Sequence, residues 1–293
     1  MTGILLALIA SVAYGSSDFF GAVAARRRGS ITATAVIYCS ATVVAVSALL
    51  FLPWSMSPGT VVAGVLAGLF GIAGFVTFYG SLAIGPMSVL SPSIALINTL
   101  VPIVAAVVLG DSLNLQGWVG VAAAVIAGLL VAAEPRNGQR VLPRGLLLAV
   151  ASGLLLGGSI VSLDAAPEGS GALPASLDTL VGLIVIGPVA LVLRGGHSPA
   201  WLKRMDAAES SETLGSRAFS GLTLAAGVLL GASNVLIVLA LQSGQLAVVS
   251  VLVNLYPVVT VVLAALVLRE RLAPTQIAGV ALAIVAAGLL SLA

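Results

Sequence analysis

GQLAVVSVLVNLYPVVTVVLAALVLRERLAPTQIAGVALAIVAAGLL, residues Gly244 to Leu290, is the second occurrence of a pattern that first runs from Gly85 to Val131. Laying Gly85 on Gly244 sets an offset of 244 − 85 = 159. The same offset pairs Val89 with Val248, Ser91 with Ser250, Ala105 with Ala264, Leu109 with Leu268, Asp111 with Glu270, Leu113 with Leu272 and Gly120 with Gly279, with no gap. Self-similarity at a fixed offset is the mark of a duplicated structural unit.

The solvent in which that unit folds follows from composition. Of 293 residues, 60% are hydrophobic and 8% charged, against roughly 45–50% and 25% in soluble domains, and the mean hydropathy is +1.21. Apolar runs of about 18 residues or more cross a hydrocarbon core of roughly 30 Å, so the expected partner of most of the surface is a lipid bilayer. Every backbone N–H and C=O there needs an internal partner. No alternating ten-residue strand pattern is visible, so the spans are expected to be helices.

Ten spans are expected: approximately Gly3–Ala25, Ile31–Leu52, Gly59–Ile84, Pro86–Leu109 and Leu115–Ala133, then Gly145–Leu163, Leu173–Leu193, Ala218–Leu241, Leu246–Leu268 and Pro274–Ala293. The first span of each half repeats as well, since Gly3, Ala7 and Gly15 fall on Gly145, Ala149 and Gly157 at 145 − 3 = 142. The two offsets differ by 159 − 142 = 17, which the long polar connector from Arg194 to Arg217 largely absorbs. The expected fold is therefore an all-α membrane protein of ten transmembrane helices. It divides into a five-helix repeat over residues 1–133, a linker over 134–144 and a second repeat over 145–293. An odd number of spans per unit makes the second copy enter from the opposite side, giving an inverted repeat.

Orientation is read from the cations. Arg26, Arg27 and Arg28 follow the first span; Arg136, Arg140 and Arg144 the fifth; Arg194, Lys203, Arg204 and Arg217 the seventh; Arg269 and Arg271 the ninth, which accounts for all 12. By the positive-inside rule the connectors after odd spans face the cytoplasm and both termini face outward. A cleaved signal peptide is disfavoured, because a charged n-region is missing and the arginines follow the apolar run. The net charge of +2 gives no reason to expect nucleic acid. Within the long connector, Trp201, Leu202 and Met205 beside Lys203 and Arg204 fit either a headgroup contact or a solvated loop. His197 has no second histidine to share a metal, Cys39 is a single cysteine, and no phosphate loop, HExxH or GxSxG occurs, so neither cofactor nor metal is expected.

An ionisable group at membrane depth costs at least about 2.5–3.5 kcal/mol and usually faces a cavity or a partner. Asp18 stands eight residues before Arg26, roughly 12 Å inside along a helix. Tyr14 shares its face, and Gly15 leaves room beside it. Such a face suits a cation or a proton; the alternative is a hydrogen bond that only holds a neighbouring helix. Asp178, about five residues into the seventh span, reads as interfacial or functional, and its role stays open. Pro102 cannot donate to the carbonyl of Asn98, nor Pro257 to that of Val253 beside Asn254, so both halves are expected to carry a weakened helix with polar groups near mid-span. Breaks at matching positions point to a secondary transporter's binding site. Asn98, Asn254 and Asn234 are thus candidates to line a cavity, with interhelical hydrogen bonding as the alternative. Because Asn98 stands where the repeat would put Pro257, the fourth helix is expected to break one turn later, at Pro102.

These features resemble the EamA-type ten-helix carriers of the drug/metabolite transporter superfamily. The resemblance covers essentially the whole chain. It rests on Tyr14-Gly15-Ser16-Ser17, where the family often has an aromatic-Gly-Ser-Asn motif, on Tyr256-Pro257-Val258-Val259, and on Leu109-Gly110-Asp111-Ser112-Leu113 and Leu268-Arg269-Glu270-Arg271-Leu272. It implies a multi-pass inner-membrane carrier with a cavity between the halves, often exporting amino acids, metabolites or drugs, sometimes coupled to protons. The family is usually drawn with cytoplasmic termini, opposite to the charge pattern here. The expectation is a monomeric secondary transporter of a small molecule, with Asp18, Tyr14, Ser17, Asn98, Asn234 and Asn254 at the binding or coupling site and no catalytic residues. A lipid-linked substrate flippase, a membrane-embedded enzyme and a channel are the other classes considered.

Overall fold

The computed structural model describes residues 1–82, 87–132, 142–195, 216–269 and 271–292, with Pro199 alone between the third and fourth of these. His197, Trp201, Leu202, Lys203, Arg204, Met205, Arg136, Arg140 and Glu270 lie outside the described residues. The helices are α1 (Thr2–Arg28), α2 (Ser30–Ala48), α3 (Pro58–Leu82), α4 (Met87–Leu109), α5 (Leu115–Ala132), α6 (Pro143–Asp164), α7 (Leu173–Arg194), α8 (Ser216–Leu241), α9 (Leu246–Val253), α10 (Tyr256–Val267) and α11 (Pro274–Ser291). No strand occurs among the described residues. Nine stretches there are long and apolar enough to cross a membrane, α9 and α10 counting together as Leu246–Val267, and the fourth span shows as the shorter Ser93–Leu109. This is the architecture of a multi-pass membrane protein.

Packing inverts the rule of soluble cores. Ala7, Ala10, Ala45, Ala67, Ala106 and Ala127 are fully buried, whereas Leu147, Val108 and Ile284 are largely exposed on the periphery. Lipid tails are as apolar as leucine, so association rests on small residues that let backbones approach.

The repeat is visible as symmetric contacts. A Cβ on Gly120 would lie 2.9 Å from Leu290 and 3.2 Å from Leu289, and one on Gly279 would lie 2.8 Å from Val131 and 3.0 Å from Leu130. Gly120 and Gly279, Leu130 and Leu289, and Val131 and Leu290 are all pairs at offset 159. Thus α5 and α11 contact each other as interchangeable, antiparallel copies, as a two-fold axis between inverted repeats requires. The helix ends repeat too: Gly110 after α4 has φ 101° and Arg269 after α10 has φ 56°, again 159 apart. The same left-handed cap is kept in both halves although only one residue is glycine.

The first helix of each half packs on the fourth span of the other. Gly157 of α6 lies against the carbonyl of Asn98 and the side chain of Val101, and Gly15 of α1 against the carbonyl of Tyr256 and the side chain of Val259. Here the equivalences are 256 − 98 = 158 and 259 − 101 = 158, one residue away from the offset that holds in α5 and α11.

The expected helix break at Pro102 is corrected by the structure. α4 is helical without interruption from Met87 to Leu109, whereas the ninth span is divided between Val253 and Tyr256. A proline removes one ladder bond but does not by itself end a helix, since neighbours can re-satisfy the freed carbonyl. In the ninth span the ladder does change: Leu255 N–H donates to Leu252 and Val258 N–H to Leu255, both tightened by one residue.

At the end of the bundle reached by the connectors after even spans, the loops are tied together. Ser55 Oγ donates to the Gly169 carbonyl at 3.0 Å, and Gln242 Nε2 to Ser170 Oγ at 3.0 Å and the Gly171 carbonyl at 3.1 Å. Ala247 N–H donates to Asp111 Oδ2 at 3.3 Å.

Candidate functional site

The site begins with the way α1 is wedged between α8 and α10. Ser17 Oγ donates to the Ala226 carbonyl of α8 at 2.7 Å. On another face, Gly15 presses on the carbonyl of Tyr256, and Thr260 Oγ1 donates back to the Gly15 carbonyl at 3.1 Å. At about 100° per residue, Tyr14 and Asp18 project between these two contacts. The lipid-facing stripe of α1 is Leu5, Ile9 and Val12. Asp18 points roughly 150° away from it yet is itself exposed. Its exposed surface therefore lies on the side of α1 turned away from that stripe. Among the described residues no group hydrogen-bonds its carboxylate. One turn back, the ring of Tyr14 meets that of Tyr256 at 4.7 Å between centroids and 57° between planes.

A second carboxylate, Asp178, is held. Its Oδ2 accepts a hydrogen bond from Asn234 Nδ2 at 2.8 Å, linking α7 to α8. Its backbone carbonyl abuts Gly68, and its Oδ1 faces the open flank of Gly71. Ser17 meets Ala226 and Gly3 meets Ala240, so in this antiparallel register Asn234 is level with Ile9. That places the Asp178–Asn234 pair roughly 13 Å along the axis from Asp18. Asp178 thus lies between packed helices, α7 with α3 and α8.

The third element lies where α4 passes the broken ninth span. Asn98 Nδ2 donates to Asn254 Oδ1 at 3.2 Å. Among the described residues Asn98 Oδ1 and Asn254 Nδ2 are buried with no hydrogen-bond partner, and each such group costs roughly 1–3 kcal/mol. Beside the pair is a cleft of about 20 Å³ lined by Thr99, Gly128, Val251, Asn254 and Pro257 among others, about the room one water needs. Asn98, 7% exposed, contacts its opposite number and not open space.

The structure thus brings Tyr14, Ser17 and Asp18 together on α1, sends Asn234 to Asp178, and joins Asn98 to Asn254. Sequence reading left Asp178 without a partner and did not place Tyr256 in the site. The first pairing spans 56 residues, and no local pattern announces it; the second had a signal, because Tyr256 belongs to the motif that the resemblance rests on. Among the described residues no group of three His, Cys, Asp or Glu side chains converges as a metal site would require.

The sequence profile of the EamA-like transporter family matches residues 1–133 and 143–292 of the chain. No curated protein sequence matches. A solved structure described only as "Crystal structure of protein" superposes with a TM-score of 0.72 over 99% of this chain and 96% of that one, at 17% identity. At that identity the likeness is one of fold.

Proposed function

Because this chain belongs to the EamA-like transporter family, we propose that it is a secondary-active carrier, an exporter of small metabolites, amino acids or drugs, working by alternating access in the inner membrane. The observation that carries this reading is the Asp18 carboxylate. It lies deep in α1, on the side turned away from the lipid-facing stripe, with surface to offer and no hydrogen bond among the described residues. An uncompensated carboxylate at such depth is kept for a ligand or a proton. With the Tyr14 and Tyr256 rings one turn away it suits an amine, which an aromatic face attracts as well. Asp18 binds the substrate amine or carries the coupled proton, Tyr14 and Ser17 shape that wall, and Asn234 orients Asp178 further along the cavity. The arginine pattern supports an orientation with both termini outside and the Asp18 end toward the cytoplasm.

A thermal-shift screen against amines, amino acids and drugs names the substrate, and uptake into proteoliposomes with and without a pH gradient then reads the coupling. The reading requires Asp18→Asn to abolish transport or its pH dependence while the protein stays folded. If both are unchanged in that variant, the role assigned to Asp18 is gone. A C-terminal reporter active only in the cytoplasm should be silent if the orientation is right.

A further inference from the structure

We infer that the Asn98–Asn254 pair is the closed gate of the transport cycle: the contact between the two halves that must part for substrate to pass Asp18 toward the even-connector end. The inference rests on the carrier reading above and adds to it the pair that does the gating.

Position comes first. α1 and the ninth span run in the same direction, and Gly15 meets Tyr256 and Val259, so Asp18 is level with about Thr260. Asn254 then lies roughly 9 Å from Asp18 toward the start of α9, with the Tyr14–Tyr256 ring contact between them. Beyond Asn254 on that side are the tied loops around Ser55, Asp111, Gly169, Ser170 and Gln242. Asp18 has exposed surface while the unpaired amide atoms of the pair are buried, so the closure falls between them.

Chemistry comes second. Two primary amides face to face can exchange two hydrogen bonds; these exchange one, and leave an acceptor on Asn98 and a donor on Asn254 buried and unpaired. Swapping oxygen and nitrogen in both amides leaves the same deficit. Such a contact is strong enough to hold a closed state and poor enough to be exchanged for water or for a substrate's own donor and acceptor once the helices separate.

Third, the backbone is prepared for it. Asn254 sits in the two-residue interruption of the ninth span, where its own N–H still reaches the Ser250 carbonyl at 2.9 Å but Leu255 and Val258 shift to i→i−3 partners, while α4 carries Asn98 on an unbroken helix. Movement of α9 relative to α10 withdraws Asn254 from a fixed partner.

The test uses a disulfide in the full-length protein. In a Cys39→Ser background, Asn98→Cys and Asn254→Cys are combined, the protein is reconstituted, and each preparation is compared oxidised and reduced. Oxidation is expected to cross-link the pair and arrest transport, and a reductant to restore it. Failure to cross-link, or equal transport in the two states, overturns the gate. A companion measurement needs no substitution: amide hydrogen exchange in the wild-type protein in lipid should be faster at Asn254, Leu255 and Tyr256 than in the flanking turns of α9 and α10, and equal protection there counts against the opening. Should no transported substrate be found, the carrier reading fails on its own, and the exchange pattern still decides whether this contact opens.

Discussion

α5 and α11 obey the duplication to the residue, whereas α4 and the ninth span, which adjoin them in sequence, do not. In the first pair Gly120 and Gly279 each receive the same two positions of the other helix. In the second, one copy is a single helix and the other is broken at Asn254, the packing equivalence slips by one residue, and the polar side chains at the crossing form an incomplete hydrogen-bond set. Both pairs descend from the same repeated stretch, so hydrophobicity and length cannot distinguish them. The gate proposed above accounts for the difference: the outer pair only has to hold, and the inner pair lies between the level of Asp18 and the tied end of the bundle.

The sharpest way to break this comparison is to load the symmetric pair. Gly120→Val and Gly279→Val each drive a side chain into the facing helix, the second also toward the backbone carbonyl of Ala127 at 2.9 Å. Overpacking of this kind costs about 3 kcal/mol. Reversible unfolding in mixed micelles should show losses of similar size for the two variants. A large inequality would mean that the two-fold relation in α5 and α11 is geometric only.

Next in size is the contrast between the two carboxylates. Asp178 accepts a hydrogen bond from Asn234 between α7 and α8, so Asp178→Leu should lower stability by about 2 kcal/mol, leaving Asn234 unpaired. Asp18→Asn breaks no hydrogen bond among the described residues and removes an uncompensated carboxylate from membrane depth, so it should not destabilise the fold, although its transport is expected to fail. Equal destabilisation by both would return Asp18 to a structural role.

The inner pair gives a smaller effect with a distinctive sign. Asn254→Leu strands the whole amide of Asn98 and should cost about 1.5 kcal/mol, while adding Asn98→Leu should recover most of it, because removing both partners leaves nothing unsatisfied. If the double variant is worse than either single one, the pair is a net stabiliser and its missing bonds are supplied by water.

Much of this was legible in the sequence, for reasons that are themselves local. Spans follow from runs of apolar residues, the inverted repeat from offsets of 142 and 159, and the shared face of Asp18 and Tyr14 from their i, i+4 spacing. The break was half legible. Pro102 and Pro257 each delete one ladder bond, but only in the ninth span do Leu255 and Val258 shift to tighter partners, and that choice depends on what each helix packs against. The partners of Asn234 and Asn98 were not legible at all, since 56 and 156 residues separate them from Asp178 and Asn254 and only the assembled bundle brings them together.

The smallest expected effect concerns how the ninth span starts. Asp111 lies one residue after the left-handed cap at Gly110, and its Oδ2 accepts the N–H of Ala247 in the first turn of α9, an orphan donor that the helix cannot use itself. This joins the end of α4 to the beginning of α9 at the tied end of the bundle, so the repeat's acidic position acts across the two halves and not within one. The bond is long, at 3.3 Å, and near the water interface, so Asp111→Ala should cost only about 0.5 kcal/mol, at the low end for a helix cap. Its more telling consequence is directional: loosening the start of α9 should speed hydrogen exchange at Ala247 and its neighbours while leaving the first turn of α11 unchanged. Equal acceleration in both would show that the helix ends respond as one unit, and the distinction between a holding pair and a moving pair would lose its structural basis.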